Sequence, residues 1–357
     1  MTVDMTTVDQ ARLEELLGRV VADLGAVGAG TLVVLGERLG LFRALADGGP
    51  ATPAELARRT GTVERNVREW LAAMAASGYV AHDGGVFRLD PEQEAAFADE
   101  QGPAFVAGGF QLLTAAARPD TRGLLERAFR DGRGLDWGEH HPDLFAGTAR
   151  FFRPGYAAHL VQDWLPALEG VVERLEAGGA VADVGCGLGL STLLMAQAFP
   201  AARLTGFDSH APSVDEARRQ AAAAGLGDRV AFRPAAALDF DGGPYDLVAY
   251  FDCLHDMGDP VGALRHARGR LAPGGTVMLV EPYAEDTLEE NLNPLGRLMY
   301  TASTLICTPV SQAQEVGLAL GAQAGETATR AVAEEAGFRR FRRAAGTPTN
   351  LVYEVRV

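Results

Sequence analysis

The run Val181-Ala182-Asp183-Val184-Gly185-Cys186-Gly187-Leu188-Gly189 constrains this 357-residue chain more than any other segment. An apolar strand ends near a carboxylate and is followed by three glycines at alternating positions. Glycines at a strand-to-helix turn let the backbone take left-handed angles and bring a ligand against the main chain. The residues that follow, Leu190 to Ala196, are helix-patterned, so the turn opens onto a helix N-terminus. The next apolar stretch, 202–207, runs into Asp208. An acidic residue about twenty positions past the glycine turn is where doubly wound α/β folds grip a ribose diol.

The spacing separates two cofactor classes. A dinucleotide turn needs G-x-G-x-x-G, with pyrophosphate on the helix N-terminus. Here the spacing is G-x-G-x-G, and Asp183 stands two residues before the first glycine. A carboxylate there repels pyrophosphate and suits a ligand with an amino group and a positive centre. The segment resembles the S-adenosylmethionine (SAM) loop of class I methyltransferases.

Length and an apolar fraction of 47% suit two domains with ample core. No run of eighteen apolar residues occurs, and the first residues carry no basic stretch, so neither a membrane span nor a secretory signal is expected. Cys186, Cys253 and Cys307 are scattered among apolar residues; they are expected as reduced, buried thiols of a cytoplasmic protein, without a metal. A net charge of −15 weighs against polyanionic partners.

Residues 1–100 read as a helical winged-helix domain. Helix-spaced apolar positions cover 8–24 and 31–45. Thr52-Pro53-Ala54-Glu55 reads as an N-cap, a first-turn proline and a capping-box glutamate. That helix stops at Gly61, and the next carries Val67, Trp70, Leu71 and Met74 on one face. Segments 79–82 and 86–89 flank Asp83-Gly84-Gly85 as a hairpin. Residues 101–175 stay helical as a linker or cap, broken near 131–134. From 176 to 357 strands alternate with helices: 180–184, 202–207, 230–234, 247–251 and 277–280, then a closing hairpin of 338–343 and 351–357. This predicts a Rossmann-like α/β domain with a seven-stranded sheet, and a lid insertion at about 282–325.

Ligands of such sheets lie across the strand carboxyl ends. The first tip offers Asp183, Gly185, Cys186, Gly187 and Gly189 to the methionyl part of SAM. The second offers Asp208, Ser209 and His210 to the ribose and the adenine edge. At the third tip the family usually has an aspartate for the adenine amino group; here Pro234-Ala235-Ala236-Ala237 stands instead, leaving Ala236 backbone or Asp239. The fourth tip begins at Phe251 and Asp252. Arg153 and Tyr156, upstream of the first strand, can reach the SAM carboxylate.

Leu254-His255-Asp256 resembles a segment of small-molecule O-methyltransferases whose histidine deprotonates the acceptor hydroxyl. The resemblance implies His255 as general base, Asp256 beside it, and Glu281 as the carboxylate that orients the imidazole. Met257 stands where the family has tryptophan. Tyr283, Asn293, Tyr300 and Thr304 of the insertion are substrate candidates. His140 and His141 are pocket candidates rather than metal ligands, because adjacent histidines on a helix diverge and no third ligand is spaced to join them.

Taken with Trp137-Gly138-Glu139-His140-His141 and Asn291-Leu292-Asn293-Pro294, these motifs resemble an actinobacterial group of class I methyltransferases. That resemblance implies SAM as cofactor, an apolar or aromatic small-molecule acceptor of secondary metabolism methylated at oxygen, and a homodimer built through the N-terminal domain. Nitrogen or carbon methylation, and a SAM-binding enzyme of another reaction, remain alternatives. A winged-helix regulator is a further one, but residues 1–100 hold 9 arginines against 16 acidic residues. The would-be recognition helix has Glu64 and Glu69 to cancel Arg65 and Arg68, so no basic footprint for nucleic acid is visible.

Overall fold

The computed structural model describes residues 7–357. The chain divides between Thr114 and Ala115. The helical residues 115–175 therefore fall with the sheet, and the expected intermediate segment 101–175 is split between the two units.

The first unit opens with one continuous helix, Gln10–Arg38, where the apolar spacing predicts two segments. Glycines 25, 28 and 30 interrupt the sequence pattern without interrupting the helix. Gly30 lies against Phe110, and Gly36 lets the Trp70 ring lie on the helix backbone, where its indole N–H donates to the Leu32 carbonyl at 2.8 Å. Gly40, at φ +69°, turns the chain into Leu41–Gly48. Helix Pro53–Thr60 starts on the expected capping box: the Thr52 hydroxyl accepts from Glu55 N–H, and the Glu55 carboxylate accepts from Thr52 N–H. Helix Glu64–Ala76 buries Val67, Trp70, Leu71 and Met74. The wing is β1 (Ala81–Asp83) paired antiparallel with β2 (Val86–Arg88). At the centre of this unit's core Phe42 stacks on Phe97 and meets Trp70 edge to face.

Helix Gln10–Arg38 is long and apolar enough, by length and composition, to cross a membrane. Its later half is docked in the winged-helix core through Ala29 and Val33. Earlier, Leu17, Val20, Leu24 and Val27 are exposed at 3-4-3 spacing, a seam of the kind that pairs helices.

The second unit is built on seven strands: β3 (Ala180–Val184), β4 (Arg203–Asp208), β5 (Val230–Pro234), β6 (Tyr245–Phe251), β7 (Leu271–Pro282), β8 (Arg340–Gly346) and β9 (Asn350–Arg356). Their order is β5-β4-β3-β6-β7-β9-β8. The first five are parallel, and β9 runs antiparallel between β7 and β8. Central strands are covered on both faces, which is why β3 and β6 read as continuous apolar runs. From β3 the chain builds outward to β4 and β5, then returns to place β6 on the other side. The order reverses between β3 and β6, and the tips of these strands flank the crevice where such sheets bind ligands.

Candidate active site

The glycine turn sits at that reversal. Gly185, Gly187 and Gly189 have φ of +75°, +52° and +85°, angles that side chains rarely adopt. Two of the three are also sterically locked. A Cβ on Gly185 would lie 2.7 Å from the Cys253 sulfur, and one on Gly189 would lie 2.8 Å from the Phe232 ring and 2.9 Å from Ala217 Cβ. At Gly187 nothing lies within 4 Å. The turn is therefore packed at both ends and open in the middle, and Gly189 caps helix Leu190–Ala198.

Asp183 is fully buried beneath the turn. Its Oδ2 accepts from the Ser191 and Thr192 hydroxyls at 2.6 Å each, whereas Oδ1 meets no donor among the described residues. Burial pushes its carboxyl up to about 6 against those two hydroxyl bonds. Asp208 accepts from Gly187 N–H through Oδ2 and from His210 N–H through Oδ1, both at 2.8 Å. Burial raises its pKa, and the two backbone donors oppose the rise. Cys186 is buried, with its backbone N–H on the Phe207 carbonyl. The His210 ring bonds Ser213 and lies 4.5 Å from Phe145, which in turn lies 5.2 Å from Trp137. Ser209 is exposed. At the third tip the Ala236 N–H is held by Asp239 Oδ1 at 2.9 Å, so the carboxylate suggested for adenine is engaged in closing its own turn.

The fourth tip gathers buried and half-buried carboxylates. Asp252, at φ +48°, accepts from the Tyr156 hydroxyl at 2.6 Å and from Asn350 Nδ2 at 2.8 Å. Burial and the neighbouring Glu281 raise its carboxyl to about 8, against the Tyr156 bond. Tyr156 thus touches an acidic residue rather than standing free, and its ring packs on Phe251. Arg153 is half-buried on the same helix, Pro142–His159. The Cys253 thiol donates to the Val184 carbonyl, tying the fourth tip to the first.

His255 follows on a short 3-10 turn, Leu254–Asp256. Its Nδ1 lies 2.5 Å from Glu281 Oε2, at the end of β7, and both residues are buried. The other ring nitrogen lies 3.2 Å from Asp256 Oδ1, an ion-pair distance without hydrogen-bond alignment. Burial pulls the imidazole pKa down, but Asp256 and Glu281 outweigh it and hold the ring well above its ordinary value. Cys307 abuts the same ring, its thiol pushed up to about 12 by burial and by Asp256. The sequence-predicted triad of His255, Glu281 and Asp256 is therefore assembled, with a cysteine added to it.

Part of the insertion closes over this turn. It comprises helix Pro294–Ala302, a π turn Ser303–Cys307 and helix Thr308–Gln312. Ser311 donates to the Met257 carbonyl, Gln314 donates to the Asp256 carbonyl and accepts from Gly258 N–H, and Gly321 N–H donates to the His255 carbonyl. The Met257 methyl group lies 3.8 Å from the Cβ position of Gly185, beside the glycine turn. Tyr283 donates to Glu285 and is half-buried, as is Tyr300. Asn293 is exposed and caps helix Pro294–Ala302; exposed Thr304 bonds back to the Tyr300 carbonyl. These two polar groups are occupied locally. His141 caps helix Pro142–His159 through its ring, while His140 is buried with neither ring nitrogen bonded among the described residues. Burial lowers the His140 pKa. Sequence reasoning missed Ser191, Thr192, Asn350 and Gln314.

Residues 182–277 match the family "Methyltransferase domain", and residues 27–98 match an "Rv2258c-like winged HTH domain". The structure of the mitomycin 7-O-methyltransferase MmcR superposes with a TM-score of 0.71 at 20% identity, over 98% of this chain and 100% of that one. Human N-acetylserotonin methyltransferase, solved with SAM, superposes with a TM-score of 0.67 at 19% identity, over 99% of each chain. In sequence, trans-aconitate 2-methyltransferase of Streptomyces coelicolor is 35% identical over 103 residues, which is 29% of this chain and 34% of that protein. The chain spans about a third of the length of the first curated relatives it matches.

Proposed function

We propose that this chain, which matches a methyltransferase domain over residues 182–277 and a winged HTH domain over residues 27–98, is a class I SAM-dependent methyltransferase that transfers the SAM methyl group to an oxygen of an apolar, aromatic or polyketide-like small molecule. The observation that carries this reading is the buried His255–Glu281 pair at 2.5 Å, beside an open glycine cradle.

The residues present fit the cofactor. Asp183 Oδ1 is a buried acceptor with no donor, suited to an amino group, and Gly187 leaves open space where any side chain would intrude. Asp208 keeps lone pairs for a diol beyond its two backbone donors. Bound SAM supplies an electrophilic methyl on a sulfonium. The chain's part is to hold the acceptor in line, exclude water and accept a proton. Glu281 fixes the ring so that the second imidazole nitrogen faces the acceptor's hydroxyl, and Asp256 stabilises the ring once it is charged.

The winged-helix domain serves in this reading as a dimerisation module rather than a DNA reader. The arginines of helix Glu64–Ala76 are spent on its own acids, Arg65 on Glu69 and Arg68 on Glu64. The exposed seam of Leu17, Val20, Leu24 and Val27 suits the same seam of a second copy. The protein is proposed to work in the cytoplasm, its three cysteines free.

Isothermal calorimetry with SAM tests the core of the reading: one site per chain is expected, and no heat at millimolar SAM refutes it. Sedimentation velocity tests the dimer, which a monomer at micromolar concentration would exclude.

A further inference from the structure

His140 is only 4% exposed, yet neither of its ring nitrogens meets a hydrogen-bond partner among the described residues. A buried polar group left unpaired is costly, so a fold keeps one where something else completes it. Burial lowers the His140 pKa, and the neutral ring keeps one nitrogen lone pair free to accept.

The 3-10 turn that leads into it, Trp137–Glu139, is held at both ends. Asp136 Oδ1 accepts from Gly138 N–H at 2.8 Å, and Glu139 Oε2 accepts from Asp136 N–H at 3.1 Å. Just before the turn, Leu135 N–H donates to the Pro309 carbonyl at 2.9 Å. Gly134 packs so closely there that a Cβ would lie 2.1 Å from the same oxygen. Just after it, the His141 ring caps helix Pro142–His159.

This turn lies against the second strand tip. A Cβ on Gly138 would sit 3.8 Å from His210 Cδ2. The His210 ring is 4.5 Å from Phe145, Phe145 is 5.2 Å from Trp137, and Trp137 is 6.0 Å from the His140 ring. Trp137, Phe145 and His210 are each half-buried, so their rings form an aromatic shelf. At one end His210 N–H bonds Asp208, the carboxylate suited to a ribose diol, and at the other end stands His140. At the third tip Asp239 Oδ1 is taken by Ala236 N–H, which leaves a purine's polar edge to be met from elsewhere.

We propose that His140 binds the adenine amino group of SAM, one ring nitrogen accepting from it, while Trp137, Phe145 and His210 pack along the purine. The inference rests on the SAM reading and deepens it. With the ribose on Asp208, the purine runs along the shelf and its amino group, remote from the sugar, reaches the buried imidazole. The turn 136–140 thereby does the work that a carboxylate at the third tip would otherwise do.

Calorimetry of the full-length protein with S-adenosylhomocysteine (SAH), and with an analogue whose purine lacks the amino group, tests the assignment. Wild type is expected to bind the analogue about 10-fold more weakly than SAH, because the imidazole is left unpaired again. His140→Leu is expected to bind SAH about 10-fold more weakly than wild type and to distinguish the two ligands by less than about 2-fold. Its ligand-free Tm is expected to equal or exceed that of wild type, since an apolar side chain replaces an unpaired imidazole; a purely structural role would lower it. His140→Gln, whose carbonyl can accept the same hydrogen bond, is expected to restore the preference for SAH. Equal affinity of wild type for the two ligands, or an undiminished preference in His140→Leu, overturns the assignment and leaves the SAM reading standing. Wild type that binds neither ligand overturns the SAM reading, and the assignment falls with it.

Discussion

Replacing His255 by alanine is expected to lower turnover by roughly 100-fold or more while SAM affinity stays within a few-fold of wild type. The assay requires an acceptor, which incubation with methyl-labelled SAM and mass spectrometry can supply. The loss is expected in kcat because, in the proposed reaction, the imidazole acts on the acceptor and not on the nucleoside. Unchanged turnover removes the histidine from the reaction. The acidic surroundings add a sign to the pH profile. Burial favours the neutral ring, but Asp256 and Glu281 prevail and hold its pKa well above the ordinary histidine value. A base must be neutral, so turnover is expected to rise with pH through that raised pKa. Asp256→Asn removes one of the two charges that sustain the shift and is expected to move the profile to lower pH. A profile that moves upward in the asparagine variant contradicts this electrostatic account.

The glycine turn supplies the second large effect, and it divides into two. Gly189→Ala places a methyl group against Phe232 and Ala217 at 2.8–2.9 Å while φ stays at +85°. Left-handed backbone costs about 1–2 kcal/mol and overpacking a further 1–3 kcal/mol or so. Together these predict a loss of about 2–5 kcal/mol, a fall in Tm on the order of 10 °C for a unit of this size. Gly187→Ala meets nothing within 4 Å, so only the angle is penalised. It is expected to reduce stability by about 1–2 kcal/mol, with SAM affinity falling disproportionately because the new methyl enters the cradle. Thermal denaturation and SAM titration of both variants check the division. Equal stability losses with equal affinity losses would show that the open middle of the turn is not where the ligand lies.

What the sequence made legible follows from distance along the chain. Apolar runs bounded by turn residues locate β3, β4, β5, β6, β7 and β9, because their burial is written in their own residues, whereas the exposed, arginine-rich β8 is legible only as one arm of the closing hairpin. The glycine turn and Asp208 were readable for the same reason. The apolar spacing predicts two helices where one, Gln10–Arg38, forms, because glycines 25, 28 and 30 break the pattern; Gly30 and Gly36 accept aromatic rings, a tertiary gain that no local pattern records. The hydroxyls of Ser191 and Thr192 were read as ordinary helix residues, yet they hold Asp183. Asn350 meets Asp252 across 98 residues, and Cys307 joins His255 from the insertion. Such pairings depend on how β9 and the π turn come back to the sheet, which spacing alone does not encode. The Glu281 partner was found only through resemblance.

The segment that roofs the fourth strand tip is fastened to the backbone of His255, Asp256, Met257 and Gly258 by Ser311, Gln314, Leu318 and Gly321. Entry of an acceptor by lifting that roof would pull on the very peptide units that aim the imidazole. If the proposed chemistry holds, gatekeeping and reactivity would be one mechanical event: with the door ajar the 254–258 turn would lose its registration, and a half-admitted molecule would meet a disarmed centre.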